Sequence, residues 1–176
     1  MTAPIMGAVP VSIVQLDKQT LAALAAGDLA AARRTSPVDL SPWLAGPECV
    51  GTWCYRARQV VESPRDLAWV TGVLWDDDAD IPVGKAGFHG APDSDGMVEA
   101  GYAVDPTLRR RGYARAALET LIARAQGEPD VAVLRVTVSP TNAASLALIQ
   151  QFDFLEVGEQ WDDEDGLEII YEMPVD

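Results

Sequence analysis

Apolar and polar residues alternate along several short stretches of the chain, and this pattern predicts most of its strands. Residues 11–16 alternate in this way, as a half-buried strand does. Three later apolar runs are separated only by turn-forming residues, so we expect an antiparallel meander. These runs span residues 67–75, 81–89 and 97–104. The acidic turn at 76–80 is expected to be a solvated hairpin tip.

The spacing of the apolar residues changes after this meander and predicts one face of a helix. The apolar residues now recur in adjacent pairs four residues apart. They are Tyr113, Ala114, Ala117, Leu118, Leu121, Ile122 and Ala125. The helix separates the strand at 97–104 from a β-branched run at 131–138, so we expect these two strands to be parallel.

The remaining segments predict further helices and strands. Residues 21–32 are alanine-rich and predict a helix with Thr20 at its N-cap. The proline-rich segment 35–47 predicts a loop, where Trp43 either lines a pocket or covers the edge of the core. A second helix and two strands are predicted at 142–151, 154–161 and 167–173.

This order of elements indicates an α/β (α+β) fold with a mixed, mostly antiparallel sheet of about seven strands and flanking helices. The length of 176 residues suits a single domain, 1–176. No apolar run is long enough to span a bilayer, and residues 1–10 lack the basic start of a secretion signal. We therefore expect a cytoplasmic protein.

The net charge and the few cysteine and histidine residues limit which partners and ligands are expected for the chain. Its 27 acidic and 13 basic residues give a net charge of −14, which repels nucleic acid and anionic membranes. Such a surface suits a cationic substrate but more often serves only solubility. The spacing of Cys49 and Cys54 fits neither a zinc site nor a redox pair, so we expect both reduced and Cys54 packed inside. With His89 as the only histidine, no metal site is predicted.

Four of the basic residues lie close together where the third meander strand leads into the helix. They are Arg109, Arg110, Arg111 and Arg115. Gly112 between them permits a positive φ or a close backbone approach. The first N–H groups of a helix have no intrahelical partners, and cations alone oppose the helix dipole there. The segment therefore predicts a cradle for a diphosphate, although it contains neither a Walker A nor a GxGxxG pattern.

Residues 109–114 (RRRGYA) resemble the (Q/R)xxGx(G/A) signature of the GNAT acetyltransferase superfamily. Segments around this loop resemble the superfamily as well. They are 87–90, 98–106, 142–145 and 151–154. The resemblance covers about 67–173, and the branch that acetylates protein N-termini, including those of ribosomal proteins, looks closest.

The resemblance implies acetyl-CoA as the cofactor, with no metal. It also implies that the fourth and fifth strands, here 97–104 and 131–138, splay apart to admit the pantetheine arm. The cofactor-binding residues that it implies are Tyr102, Ala103, Val104, Arg109, Arg110, Arg111, Gly112, Tyr113, Ala114, Arg115 and Asn142. Asn142 is equally suited to be a helix N-cap.

The implied reaction is direct attack of an amine on the thioester, which needs a base and favours a proton donor for the leaving thiolate. Glu99 is the predicted base, directly or through water, unless it pairs with an arginine or faces solvent. Ile149 replaces the usual proton-donating tyrosine, so Ser145 is the predicted substitute, unless its hydroxyl only bonds a helix carbonyl. His89 and Tyr102 are lesser candidates.

These features predict an enzyme that transfers acetyl from acetyl-CoA to a primary amine of a small molecule or a peptide N-terminus. The presence of Ile149 keeps open a non-catalytic acyl-CoA sensor or scaffold of the same fold. A donor such as succinyl-CoA also remains open. The fold does not specify the acceptor, and the five tryptophans leave a homodimer open.

Overall fold

The computed structural model describes residues 9–163 and 165–175, and its centre is a seven-stranded sheet. The strands are β1 (Val11–Val14), β2 (Gly72–Asp76), β3 (Ile81–Phe88), β4 (Met97–Val104), β5 (Val133–Val138), β6 (Leu155–Asp162) and β7 (Gly166–Pro174). Their order is β1-β2-β3-β4-β5-β7-β6, and among these described strands only β4 and β5 are parallel neighbours. The expected mixed, mostly antiparallel sheet is confirmed.

Helices cover both faces of this sheet. Those in the described residues are α1 (Lys18–Ala25), α2 (Leu29–Thr35), α3 (Pro47–Glu62), α4 (Tyr113–Gly127) and α5 (Ala143–Ile149). Val73 and Leu74 are adjacent in β2 and point to opposite faces, so they belong to separate buried clusters. Leu118 and Leu121 of α4 join the cluster of Leu74, whereas Trp53 of α3 joins that of Val73.

The helix expected at 21–32 is two helices, and Thr20 is not its N-cap. Helix α1 begins at Lys18 because the Asp17 carboxylate accepts a 2.7 Å hydrogen bond from the Thr20 N–H. The chain then turns at Gly27, whose φ is +68°. Asp28 caps α2 by accepting from the Ala31 N–H. The alanine-rich composition conceals this break, because alanine favours helix on both sides of it.

Helix α3 is the main element that the sequence pattern does not predict. Its buried residues form a stripe about one residue wide, Cys49, Trp53, Arg56 and Val60. An arginine interrupts this stripe, so the helical period of apolar residues is weak. Cys49 is buried there, whereas Cys54 is exposed, so the expectation that Cys54 packs inside is wrong. Trp43 packs against the same cluster and covers its edge.

The strand expected at 67–75 begins later. Pro64–Ala68 forms a short 3₁₀ helix, and β2 starts at Gly72. A Cβ at this glycine would lie 2.3 Å from the Val14 carbonyl oxygen of β1, so the close pairing of the two strands requires glycine. The limits of the other expected strands, and of the expected helices at 113–125 and 142–151, differ from the observed ones by at most two residues.

The parallel strands β4 and β5 separate halfway along their length. They pair from Met97 with Val133 to Glu99 with Arg135, and no further among the described residues. Beyond that point β4 keeps its antiparallel pairing with β3, while β5 keeps its pairing with β7. The expected splay is confirmed, and it leaves one edge of β4 without a neighbouring strand from Ala100 to Val104.

Candidate active site

Two clefts meet at the splay. The first, the splay cleft, has a volume of about 330 Å³ and is lined by residues 100–102 of β4, 136–139 and parts of α5 and the β6–β7 hairpin. The second, the loop cleft, has a volume of about 720 Å³ and lies between the end of β4 and the first turns of α4 and α5. Tyr102, Asn142 and Ser145 line both clefts, so they form the junction between them.

The structure brings most of the expected cofactor residues together in the loop cleft. Its lining includes every one of them except Arg111. The side chains of Arg110 and Arg111 are exposed and make no hydrogen bond or ion pair with another described residue. Arg109 donates from Nε to the Val104 carbonyl oxygen at 3.4 Å. Arg115 forms an ion pair with Glu119 at 3.2 Å.

The backbone turn before α4 has two residues in the left-handed region. Gly112 is the N-cap residue, with φ of +89°, and Arg110 has φ of +65°. Among the described residues no side chain caps the helix, and the N–H of Ala116 is the one that bonds back to the Gly112 carbonyl. The N–H groups that precede Ala116 in the helix are therefore available to an anion.

A hydrogen bond ties this turn to the β2–β3 hairpin. The Tyr113 hydroxyl donates to Asp76 Oδ2 at 2.6 Å, while Asp76 Oδ1 accepts from the N–H groups of Asp78 and Ala79. The Ala79 N–H and then the Tyr113 hydroxyl hold the pKa of Asp76 below its ordinary value. Asp76 is only 5% exposed, so the expectation of a fully solvated acidic tip is wrong at this residue.

The residues at the junction are linked to one another. The Asn142 side chain caps α5 by accepting from the Ser145 N–H at 3.1 Å. The Ser145 hydroxyl interacts with the Tyr102 phenol and partly offsets the effect of burial on the pKa of that phenol. It makes no hydrogen bond to a helix carbonyl among the described residues. Burial raises the pKa of Tyr102 to about 12, so this phenol stays protonated at neutral pH. Ile149 is 1% exposed and belongs to the core.

Glu99 lies on the opposite face of β4 from Tyr102. Its Oε1 accepts a 2.8 Å hydrogen bond from the Thr137 hydroxyl and lies 3.5 Å from His89 Nδ1. Its side chain is 18% exposed. The structure therefore shows neither of the alternatives for Glu99, an arginine partner or a solvent-facing carboxylate. The sequence predicts the β3–β4 hairpin, but the contact of Glu99 with His89 depends on the register of the two strands, which the sequence pattern does not give.

Within the described residues no group of three or more histidine, cysteine, aspartate or glutamate side chains is placed to hold a metal ion. No helix in that part of the chain has both the length and the apolar character that crossing a membrane requires.

The chain belongs to the acetyltransferase (GNAT) family, whose model matches residues 30–154. The predicted family is therefore confirmed. A similar relative is L-2,4-diaminobutyric acid acetyltransferase of Streptomyces coelicolor, 36% identical over 89 residues, which are 50% of this chain and 52% of that protein. The chain spans about half the length of the curated relatives it matches.

Solved structures show the same fold at low sequence identity. Ribosomal-protein-S5-alanine acetyltransferase from Vibrio fischeri has a TM-score of 0.62 at 16% identity, covering 94% of this chain and 92% of that one. RimL, a ribosomal L7/L12 α-N-protein acetyltransferase in complex with coenzyme A, has a TM-score of 0.61 at 14% identity, covering 96% and 98%. At these identities the likeness establishes the fold.

Proposed function

We propose that the chain is an N-acetyltransferase that moves the acetyl group of acetyl-CoA to a primary amine. The observation that carries this proposal is the meeting of the two clefts at Tyr102, Asn142 and Ser145. A long thioester needs an anion site at one end and room for the reacting carbon at the other, and the joined clefts offer both. Membership of the GNAT family supports this class of reaction.

The loop cleft fits the coenzyme A portion in charge and hydrogen bonding. The free N–H groups at the start of α4 and the side chains of Arg109 and Arg110 would hold the diphosphate. The unpaired edge of β4 at Ala103 and Val104 would bond the pantetheine amides, as an added strand does. The cofactor supplies an activated acyl group, so the residues of the chain have to orient this group and accept or donate the protons that move during the transfer.

Glu99 and Ser145 take separate parts in the proposed transfer. An amine attacks only as the free base, so a proton must leave the ammonium form, and we assign this removal to Glu99, directly or through an intermediary. The C–N bond forms as the C–S bond breaks. Ser145 at the junction would donate a hydrogen bond to the leaving sulfur, in place of the residue at 149, which is a buried isoleucine.

The proposed acceptor is a cationic amine, either a small molecule or the α-amine of a peptide. Asp165 and Glu168 line the splay cleft, and the Glu168 carboxylate accepts from the Gln160 amide. Together with the net charge of −14, these carboxylates favour an approaching ammonium group. The two free cysteines suit the reducing cytoplasm, which we propose as the location.

A thiol-release assay tests the proposal. Purified protein is mixed with acetyl-CoA and a panel of diamines, amino acids and peptides with free N-termini, and free coenzyme A is measured with and without each acceptor. We expect release that depends on the acceptor. Tight binding of coenzyme A with no transfer to any acceptor would instead favour the sensor or scaffold, and release only with succinyl-CoA would change the donor.

A further inference from the structure

The single histidine of the chain lies directly beside the proposed base. The backbone N–H of His89 donates to the backbone carbonyl oxygen of Glu99 at 2.7 Å. The two residues are therefore cross-strand neighbours whose side chains lie on the same face of the sheet. The imidazole Nδ1 lies 3.5 Å from Glu99 Oε1. The same oxygen accepts from the Thr137 hydroxyl at 2.8 Å, which holds the carboxylate from the β5 side. The Glu99 carboxylate therefore lies between the Thr137 hydroxyl and the His89 imidazole.

The second ring nitrogen of His89 lies against Gly101, which is one of the residues lining the splay cleft. A Cβ at residue 101 would lie 3.0 Å from Nε2, and Gly101 lines that cleft. The imidazole can lie this close to β4 because Gly101 has no side chain. The His89 side chain is 45% exposed and that of Glu99 is 18% exposed. The His89 side chain is therefore more accessible to an incoming amine than the Glu99 carboxylate is.

Helix α3 fixes the backbone of this histidine. Arg56 Nη1 donates to the His89 carbonyl oxygen at 3.1 Å, and the Gln59 amide donates to it at 2.7 Å. The charged groups that act on the ring are Glu99 from β4 and Arg56 from α3. Desolvation is the main cause that lowers the pKa of His89, Glu99 opposes it, and Arg56 adds to it. The ring is consequently neutral at neutral pH, as a base must be.

We infer that His89 Nε2 takes the proton from the acceptor ammonium, and that Glu99 acts through His89 by holding Nδ1. This inference rests on the proposed acyl transfer. One proton passes from R–NH₃⁺ to Nε2, which gives R–NH₂ and an imidazolium whose charge is balanced by the Glu99 carboxylate. The amine then forms the C–N bond, the C–S bond breaks with its electron pair on sulfur, and the second proton that the nitrogen must lose passes to that sulfur. The products are the amide and the thiol of coenzyme A, and the imidazolium returns the first proton to solvent.

Nitrogen-15 NMR of the imidazole tests the arrangement without any turnover. The chain has one histidine, so each ring signal is assigned without ambiguity. We expect the neutral ring to carry its proton on Nδ1, toward Glu99, with Nε2 bare, and to titrate below the ordinary pKa of about 6.5. In Glu99→Gln the titration should move to still lower pH, because the carboxylate that raises the pKa of His89 is gone. A ring protonated mainly on Nε2 would overturn the inference.

Kinetics of His89→Gln test the catalytic role. The amide cannot take a proton, so we expect kcat to fall by about 100-fold or more, with unchanged affinity for coenzyme A as the check on folding. The acid limb of the kcat/KM profile should disappear in His89→Gln and move to lower pH in Glu99→Gln. Glu159→Gln on the exposed strand β6 is the control and should behave as the wild type.

The results of these experiments distinguish a failure of the role inferred for His89 from a failure of the proposed acyl transfer. If His89→Gln keeps near wild-type turnover and its acid limb, while Glu99→Gln loses both, then Glu99 acts directly and the role of His89 is overturned. If the wild type transfers acetyl to no acceptor, the acyl-transfer proposal fails and the role of His89 fails with it.

Discussion

The Tyr113 hydroxyl donates a 2.6 Å hydrogen bond to the buried Asp76 carboxylate, joining the first residue of α4 to the end of β2. These residues are 37 positions apart, and the bond places the helix start relative to the sheet edge. The position of the proposed diphosphate cradle therefore depends on a contact between its residue Tyr113 and a strand end that does not line the loop cleft.

Tyr113→Phe removes this bond and leaves the Asp76 carboxylate with one donor fewer. We expect the free energy of unfolding to fall by about 1–3 kcal/mol, since the bond is to a charged, buried group. Urea denaturation gives this quantity, and calorimetry of coenzyme A binding should show weaker affinity as well. Tyr55→Phe, at an exposed tyrosine of α3, is the matched control. An equal loss in both variants would contradict the anchoring role.

The depressed pKa of Asp76 makes its contribution to stability depend on pH. A carboxyl whose folded pKa lies below its unfolded value stabilises the fold above the unfolded pKa, and this contribution is lost as pH falls through the folded one. Asp76→Asn should therefore be less stable than the wild type above about pH 4, and the difference should shrink on further acidification. Urea denaturation of both proteins between about pH 3 and pH 7 measures this. A difference that stays constant over that range would show that the carboxylate is not responsible.

Arg110 and Arg111 are adjacent, but only Arg110 lines the loop cleft. Arg110→Ala should weaken coenzyme A binding by about tenfold or more, since a charge-assisted bond contributes about 1.5–3 kcal/mol, and Arg111→Ala should weaken it less. Pantetheine, which lacks the diphosphate, should bind both variants as it binds the wild type. Arg34→Ala on α2 serves as the control for net charge. Equal losses for coenzyme A and pantetheine would place the arginine effect outside the diphosphate site.

Ser145 and Tyr102 both line the junction of the clefts, where their side chains interact. Ser145→Ala should reduce kcat by about tenfold, while the KM for acetyl-CoA changes little, because the proposed bond of Ser145 is made to the developing thiolate. Tyr102→Phe should show a smaller reduction of the same kind, since in the proposed arrangement the phenol acts only on the serine hydroxyl and not on the reacting atoms. Steady-state kinetics give both values, with Ser12→Ala on β1 as the control. A rise in KM with unchanged kcat would assign both residues to binding alone.

The sequence predicts elements whose determinants are local. The alternation in β1 and the paired apolar positions of α4 report burial directly, and the loop at 109–114 contains its own glycine and charges. Helix α3 is not predicted because Arg56, buried through bonds to Thr71 and His89, occupies a place where an apolar residue is expected. The buried Asp76 is missed for a similar reason, since its partner Tyr113 is distant in the sequence.

The candidate site could be predicted in part. The loop, Glu99 and Ser145 follow from a motif and its surroundings. The place of His89 beside Glu99 depends on the register of β3 on β4, and the contact with Thr137 depends on where β5 leaves β4. Strand register is set by the whole sheet rather than by either strand, so these neighbours emerge only with the fold.

Arg110 has a left-handed backbone, so stability favours glycine at this position while the proposed binding of the cofactor favours arginine. An L-amino acid with a side chain costs about 1–2 kcal/mol in that conformation, whereas glycine adopts it freely. Arg110→Gly should therefore melt at a higher temperature than the wild type and yet capture the cofactor less well. If Arg110 binds the cofactor as proposed, a substitution selected for thermostability at this position would lower the activity of the protein.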